Sequence, residues 1–245
     1  MAKIRGIILD VDGTLVDSND AHTSAWVEAL GRGGYKVPRE KVRRLIGMGA
    51  DNLLPEAITV EKDSEEGKRL SDAWRQIFTA NYLPGLKPFP CVRELLERMR
   101  KDRLKLVVAS SAEAEMLETL LDIAGVEDLV ESKTSSDDAH NSKPEPDIVR
   151  AALDKLGLGA NEVLMLGDTP YDIEAAGRLG IGVIALRCGG LICIHGRYEF
   201  MSHDFPRPFP FSLLLFKIGG RKYLFEIHLP LVRPLTMAFV TILLE

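Results

Sequence analysis

Cysteine is scarce in this chain: Cys91, Cys188 and Cys193 are the three in 245 residues. They are too few and too scattered for a disulfide framework or a tetrahedral zinc set, which points to a reducing, cytoplasmic compartment. Positive charge is not in surplus either. Lys and Arg number 31 against 36 Asp and Glu, a formal net charge of −5, so no general basic field exists and nucleic acid is disfavoured as the principal partner. Long hydrophobic runs are also missing. The longest late one, LTMAFVTILL over 235–244, would span only about 15 Å as a helix against a hydrocarbon core of roughly 30 Å, which predicts no membrane span. The N-terminal apolar run is broken by Asp10 and lacks the length of a signal-peptide core, so it reads as a first strand.

What is present is a globular composition, 46% hydrophobic and 27% charged, with room for one large or two modest domains. Four short apolar runs, GIILDVDG, LKLVVASS, EVLMLGDTPYD and GVIALRCGG, each end in a small or polar cluster. Helix-length segments lie between them: VRELLERMR, AEMLETLLDIAG, DIVRAALDKLG and DIEAAGRLG. That alternation predicts βαβ units and a parallel sheet, with a further strand at EDLVESK. Ligands in such a sheet bind beyond the carboxyl ends of the strands, where Asp10, Asp12, Ser110 and Asp168 fall. Residues 17–87 read as helices throughout, which predicts an inserted α-helical cap between a core of 1–16 and 88–187. From about residue 188 the composition breaks. Seven of the nine Phe and three of the five His lie in 188–245, an atypical C-terminal extension in which FPFSLLLFKI, RKYLFEIHLPLV and LTMAFVTILL are candidate strands without a place in the sheet.

The chemistry concentrates at the strand ends. If the first strand runs through ILDVDG, Asp10 and Asp12 project from the same face, and two neighbouring carboxylates call for a cation or a raised pKa. Asp10 is a candidate nucleophile toward phosphorus, and Asp12 a candidate acid and base. Thr14 offers a hydroxyl, and Ser110 stands before a helix expected to open near Ala112, a ready phosphate site. Lys143, in NSKPEPD, could balance both Asp10 and a bound phosphoryl group. Asp168 and Asp172, in GDTPYD, follow a further strand and add acids, and Asp10, Asp12 and Asp168 give an all-oxygen set suited to Mg²⁺. Taken singly, Ser110 reads as a helix cap, Lys143 as a solvated charge and Asp168 as a capping acid. Four polar signals at four strand ends carry the functional reading instead.

Assembled, DVDGTLVDS, VVASS, SKPEPD and GDTPYD resemble, in order, the motifs of the haloacid dehalogenase superfamily of phosphotransferases. The resemblance implies a Rossmann-like core with a helical cap and Mg²⁺-dependent phosphoryl transfer through an aspartyl-phosphate. It makes Asp10 nucleophile and metal ligand, and Asp12 acid/base with its backbone carbonyl on the metal. Thr14 and Ser110 would hold phosphate, Lys143 would steady charge, and Asp168 would bind the metal with Asp172 beside it or one shell out. Dehalogenases of the superfamily lack the second aspartate, so Asp12 favours a phosphate-processing enzyme acting on a small phosphorylated metabolite, phosphoglycolate or a sugar phosphate. DSNDAHTSAWVEAL and RRLIGMGADNLLP resemble the phosphoglycolate phosphatase and β-phosphoglucomutase-like group. The resemblance implies for the mutase an arginine shortly after the glycine of the second stretch, holding the substrate's distal phosphate; that place is Ala50 here, which favours hydrolysis, with Lys41, Arg43 or Arg44 as substitutes for that arginine. His22 either faces the site from the hinge or packs on Trp26. A phosphomutase and a catalytically silent product with an aberrant C-terminus stay open as alternatives.

Overall fold

The structure, a computed structural model, describes residues 3–190 and the backbone of three later strands at 211–218, 221–228 and 240–243. The apolar runs form a five-stranded, all-parallel sheet in the order β3-β2-β1-β4-β5. Its strands are β1 (Gly6–Leu9), β2 (Lys105–Ala109), β3 (Ser132–Thr134), β4 (Val163–Gly167) and β5 (Gly182–Ala185). Side chains alternate faces along a strand, and the two faces feed separate cores. Ile7 and Leu9 join Leu106 and Val108 under α5 (Val92–Lys101) and α6 (Ala114–Ala124). Ile8 joins Val107 and Met165 under α7 (Asp147–Leu156) and α8 (Pro170–Arg178). Both faces are covered, as a parallel sheet requires. Truncating the fully buried Ile8 to Ala would cost about 2–5 kcal/mol.

Between β1 and α5 come α1 (Asn19–Arg32), α2 (Arg39–Leu45), α3 (Ala50–Ile58) and α4 (Glu65–Ile77). They bury a core of their own around Trp26, Leu30, Val42, Leu53, Leu54 and Leu70, the expected helical insert. Ser64 starts α4 by accepting the Gly67 amide at 3.0 Å, and Glu65 and Glu66 favour the positive end of the helix dipole. The predicted helix through FTANYL does not continue as α. It widens into a π turn, Phe78–Tyr82, beginning where Phe78 stacks on His22 at 4.1 Å between ring centroids.

EDLVESK is shorter as a strand than its composition suggests. Glu127–Leu129 forms a 3₁₀ turn and only Ser132–Thr134 pairs with β2, because Leu129 is drawn into the core below the sheet edge. The helix expected near Ala112 begins at Ala114. Of the C-terminal candidates, β6 (Phe211–Ile218), β7 (Arg221–His228) and β8 (Val240–Leu243) form a separate antiparallel sheet, and the rest of the expected extension from residue 191 lies outside the described residues. Among the described residues no helix is long and apolar enough to cross a membrane.

Candidate active site

The sheet order reverses direction at β1, between β2 and β4, and the crevice beyond such strand ends is where an α/β sheet takes its ligand. Asp10 leaves β1 with its amide donating to Leu166 O at 2.9 Å. The chain then turns instead of extending: Gly13 donates to Val16 O at 2.8 Å, and Thr14, Leu15 and Val16 all donate to Val11 O. Gly13 adopts φ +77°, and a Cβ there would meet the Asn19 amide and the Asp168 carboxylate. The expectation that one strand carries Asp10 and Asp12 on one face is therefore corrected. The strand ends at Leu9, and the two carboxylates take different partners.

Asp10 faces Lys143. The buried ammonium lies 2.6 Å from Asp10 Oδ1 and 2.7 Å from Asp172 Oδ1, and it also donates to Ala109 O at 3.4 Å. Thr14 Oγ1 lies 3.1 Å from Asp10 Oδ2 and 3.2 Å from Asp168 Oδ1, a hydroxyl shared between the two carboxylates. Asp172 is fixed by a reciprocal cap on α8, taking the Thr169 amide at 3.0 Å and its hydroxyl at 2.7 Å. Burial, with the Asp172 charge beside it, pushes the Asp10 carboxyl up to about 7 against the pull of Lys143. Burial and the charges of Asp10 and Asp172 raise Asp168 well above the carboxylate range. The Lys143 ammonium loses hydration, yet the two aspartates hold it above its ordinary value.

Oxygens of Asp10, Asp168 and Asp172 all lie within 4.8 Å of one another. Three buried carboxylates face one ammonium, so full ionisation leaves two negative charges without a counter-ion among the described residues. Asn19 donates to Asp168 Oδ2 at 2.8 Å and to Gly189 O at 3.0 Å, while its own buried Oδ1 has no partner among the described residues. An all-oxygen, doubly negative, buried set beside an unpartnered acceptor fits a hard divalent cation with its waters.

The Asp12 side chain lies outside that group. Its Oδ1 accepts the Ser18 hydroxyl at 2.5 Å and sits 2.8 Å from His22 Nε2. Burial alone would raise this carboxyl, but the charge and hydrogen bond of His22, with Ser18, hold it below its usual range. His22 stacks on Phe78 and Trp74 and not on Trp26, so it does face the site. Ser110, buried at the end of β2, accepts the Ala112 amide at 3.0 Å.

Beside Asp12 and His22 lies a cleft of about 110 Å³, bounded also by Trp26 and Trp74 and, on its other walls, by Ala50, Ser111 and Glu113. Hydrogen bonds tie the helical insert to the core around it. Ser142 donates its amide to Asp51 at 3.0 Å, Asn52 donates to Lys143 O at 3.3 Å, and Arg75 pairs with Glu113 at 2.6 Å. Arg43 donates to Gly189 O and pairs with Asp20 at 3.2 Å. Cys188 donates to Gly13 O at 3.2 Å; burial, with the Asp168 charge, pushes its thiol up to about 12.

Sequence reasoning thus reached Asp10, Thr14, Lys143, Asp168 and Asp172, which the fold gathers. It missed Ser18 and Asn19. The available signal was local: Ser18 stands at the N-cap of α1 without capping it, its hydroxyl being committed to Asp12.

A doubly wound sheet with a buried aspartate-lysine cluster at its strand ends, under a helical insert, defines a Rossmann-like α/β protein whose candidate site lies where the strand order reverses. The chain belongs to the haloacid dehalogenase-like hydrolase family, whose model matches residues 7–186, and is an enzyme of that family. It is similar to the phosphoglycolate phosphatase of Yersinia pestis, 32% identical over 191 residues that cover 76% of this chain and 82% of the other. It is also similar to a Caldanaerobacter subterraneus protein carrying the name pyrophosphatase PpaX, 27% identical over 76% of this chain and 82% of that one. Among solved structures, a hydrolase from Pseudomonas syringae superposes with a TM-score of 0.71 at 29% identity, covering 77% of this chain and 87% of the other.

Proposed function

We propose that this protein is a cytoplasmic, Mg²⁺-dependent phosphomonoester hydrolase that cleaves a small phosphorylated metabolite through an aspartyl-phosphate. The observation that carries the reading is the placement of Lys143 between Asp10 and Asp172, with Asp168 in reach of both. Asp10, Asp168 and Asp172 would hold the cation. When bound, it neutralises the excess negative charge of the site and of the phosphoryl oxygens.

An Asp10 carboxylate oxygen attacks phosphorus, the bond to the alcohol oxygen breaks, and the leaving oxygen takes a proton from the Asp12–His22 pair. Water then attacks the aspartyl-phosphate, Asp12 takes its proton, and the bond to Asp10 breaks to release inorganic phosphate. Asp12, held ionised by His22 and Ser18, suits the second step. Lys143 orients Asp10 and offsets charge on the transferring group, and the Ser110 and Thr14 hydroxyls would donate to phosphate oxygens. The helical insert, 17–87, serves as a cap that excludes water from the core of 1–16 and 88–187.

Hydrolysis is favoured over phosphomutase chemistry by the residue at the place of the mutase's arginine. Ala50 stands in the cleft wall where the resemblance puts that arginine, and the candidate substitutes are committed or outside: Lys41 donates to Ala57 O at 2.9 Å, Arg43 holds Asp20 and Gly189, and Arg44 is exposed. Incubation of the full chain with Mg²⁺ and phosphoglycolate or a hexose phosphate should release inorganic phosphate, with no isomer formed, and Asp10→Asn should abolish release. Isomer formation without phosphate release would establish the mutase.

A further inference from the structure

The cleft wall contributed by the helical insert carries two cations, Lys62 and Arg75. They are differently situated. Arg75 is engaged by both oxygens of Glu113, at 2.6 Å each, so its charge is matched across the insert–core seam. Lys62 is half-buried; among the described residues it makes no direct ion pair and no hydrogen bond, and its charge acts on Glu113 only from farther off. Of the acids in the cleft, Asp12 is held by Ser18 and His22 and Glu113 holds Arg75, while Asp51 takes the Ser142 amide with one oxygen and, among the described residues, leaves the other without a hydrogen-bond partner.

The segment that presents Lys62 is built to stay in place. Ser64 donates its hydroxyl to Glu61 O at 2.6 Å and its amide to the same carbonyl at 3.2 Å, while its hydroxyl oxygen caps α4. Gly67, in the first turn of α4, has no side chain because a Cβ there would run into the Glu61 and Lys62 carbonyls. The backbone at Lys62 therefore packs directly on α4. An unpaired ammonium on a fixed backbone, in the same cleft as Asp12, is set to meet an anion that arrives with the substrate.

Resting on the phosphatase reading, we infer that Lys62 is a specificity-determining residue that selects phosphomonoesters whose alcohol portion is short and carries a carboxylate. The proton of the leaving oxygen comes from the Asp12 end of the cleft, so the alcohol fragment occupies the cleft and its far end comes within reach of the cap wall. The cleft's small volume limits the fragment to a few heavy atoms. A carboxylate there meets Lys62 without displacing Glu113 from Arg75.

The test compares 2-phosphoglycolate with 2-hydroxyethyl phosphate, equal in length and uncharged at the far end, on the full chain with Mg²⁺. In the wild type kcat/KM should favour the acid, and raising the salt concentration should erode that preference. Lys62→Met should reduce the ratio of the two kcat/KM values by about tenfold or more, chiefly through KM for the acid, while Lys62→Arg retains most of it. A ratio unchanged in Lys62→Met, or insensitive to salt in the wild type, overturns the assignment even though both esters are hydrolysed. Hydrolysis of neither ester, with phosphate still released from a hexose phosphate, overturns the Lys62 assignment alone; release from none of the three overturns the phosphatase reading as well.

Discussion

Lys143 Nζ lies 2.6 Å from Asp10 Oδ1 although the two are 133 positions apart and both side chains are buried. Removing one member of such a pair leaves a buried charge without its partner, at a cost of about 3–5 kcal/mol. Lys143→Met should therefore lower the thermal midpoint and abolish turnover. Asp10→Asn in the same background should recover part of the lost stability, because it removes one of the stranded carboxylates. Thermal unfolding of the two single variants and the double variant gives the coupling directly.

The raised Asp10 and Asp168 carboxyls fix the sign of a pH effect. A carboxyl whose folded pKa exceeds its unfolded value binds more protons in the native state, so stability falls as pH rises between the two values. For Asp10 that window runs from about 4 to about 7. The chelator-treated protein should lose stability from pH 5 to pH 7.5, and Mg²⁺ should raise the midpoint more at pH 7.5 than at pH 5. Asp12, whose carboxyl is lowered, contributes stability that is lost only below about pH 4, outside this range. An equal Mg²⁺ shift at both pH values would count against the site.

Asp12 and His22 should fail together. Asp12→Asn removes the proton-transfer group and should reduce kcat by about 10²- to 10⁴-fold. His22→Asn, which withdraws the partner 2.8 Å from Asp12, should shift the acid limb of the kcat profile upward as Asp12 loses its stabilising neighbour. Steady-state rates from pH 4.5 to 9 test both.

Gly189 should tolerate no side chain. A Cβ there would collide with the Asp168 carboxylate and crowd the Asn19 amide, so Gly189→Ala should weaken Mg²⁺ binding in calorimetric titration while the far-ultraviolet circular dichroism stays native. Normal affinity in that variant would show that Asp168 has room to move.

The sheet and its surrounding helices were readable because each element carries its own periodicity. β1, β2, β4 and β5 are apolar runs, and α5 to α8 are amphipathic segments between them. β3 was over-read, since the apolar residues of EDLVESK serve a turn and only the polar Ser132–Thr134 pairs. At the site, Asp10, Lys143, Asp168 and Asp172 were legible as polar breaks at strand ends. What sequence could not supply was the apposition of insert and core: Asn52 reaches Lys143 O across 91 positions, and neither residue carries a local sign of the other. The turn after Leu9 was hidden as well, because Asp-Val-Asp satisfies both a strand and a tight loop until Gly13 adopts its positive φ.

The chain contains two tryptophans, Trp26 and Trp74, and both border the cleft, stacked 5.2 Å apart with Trp74 also against His22. Intrinsic indole emission is consequently an optical reporter of this one place in the molecule, carrying no background from elsewhere. Ligand entry at the cleft is expected to register as a change in that emission without any label being attached.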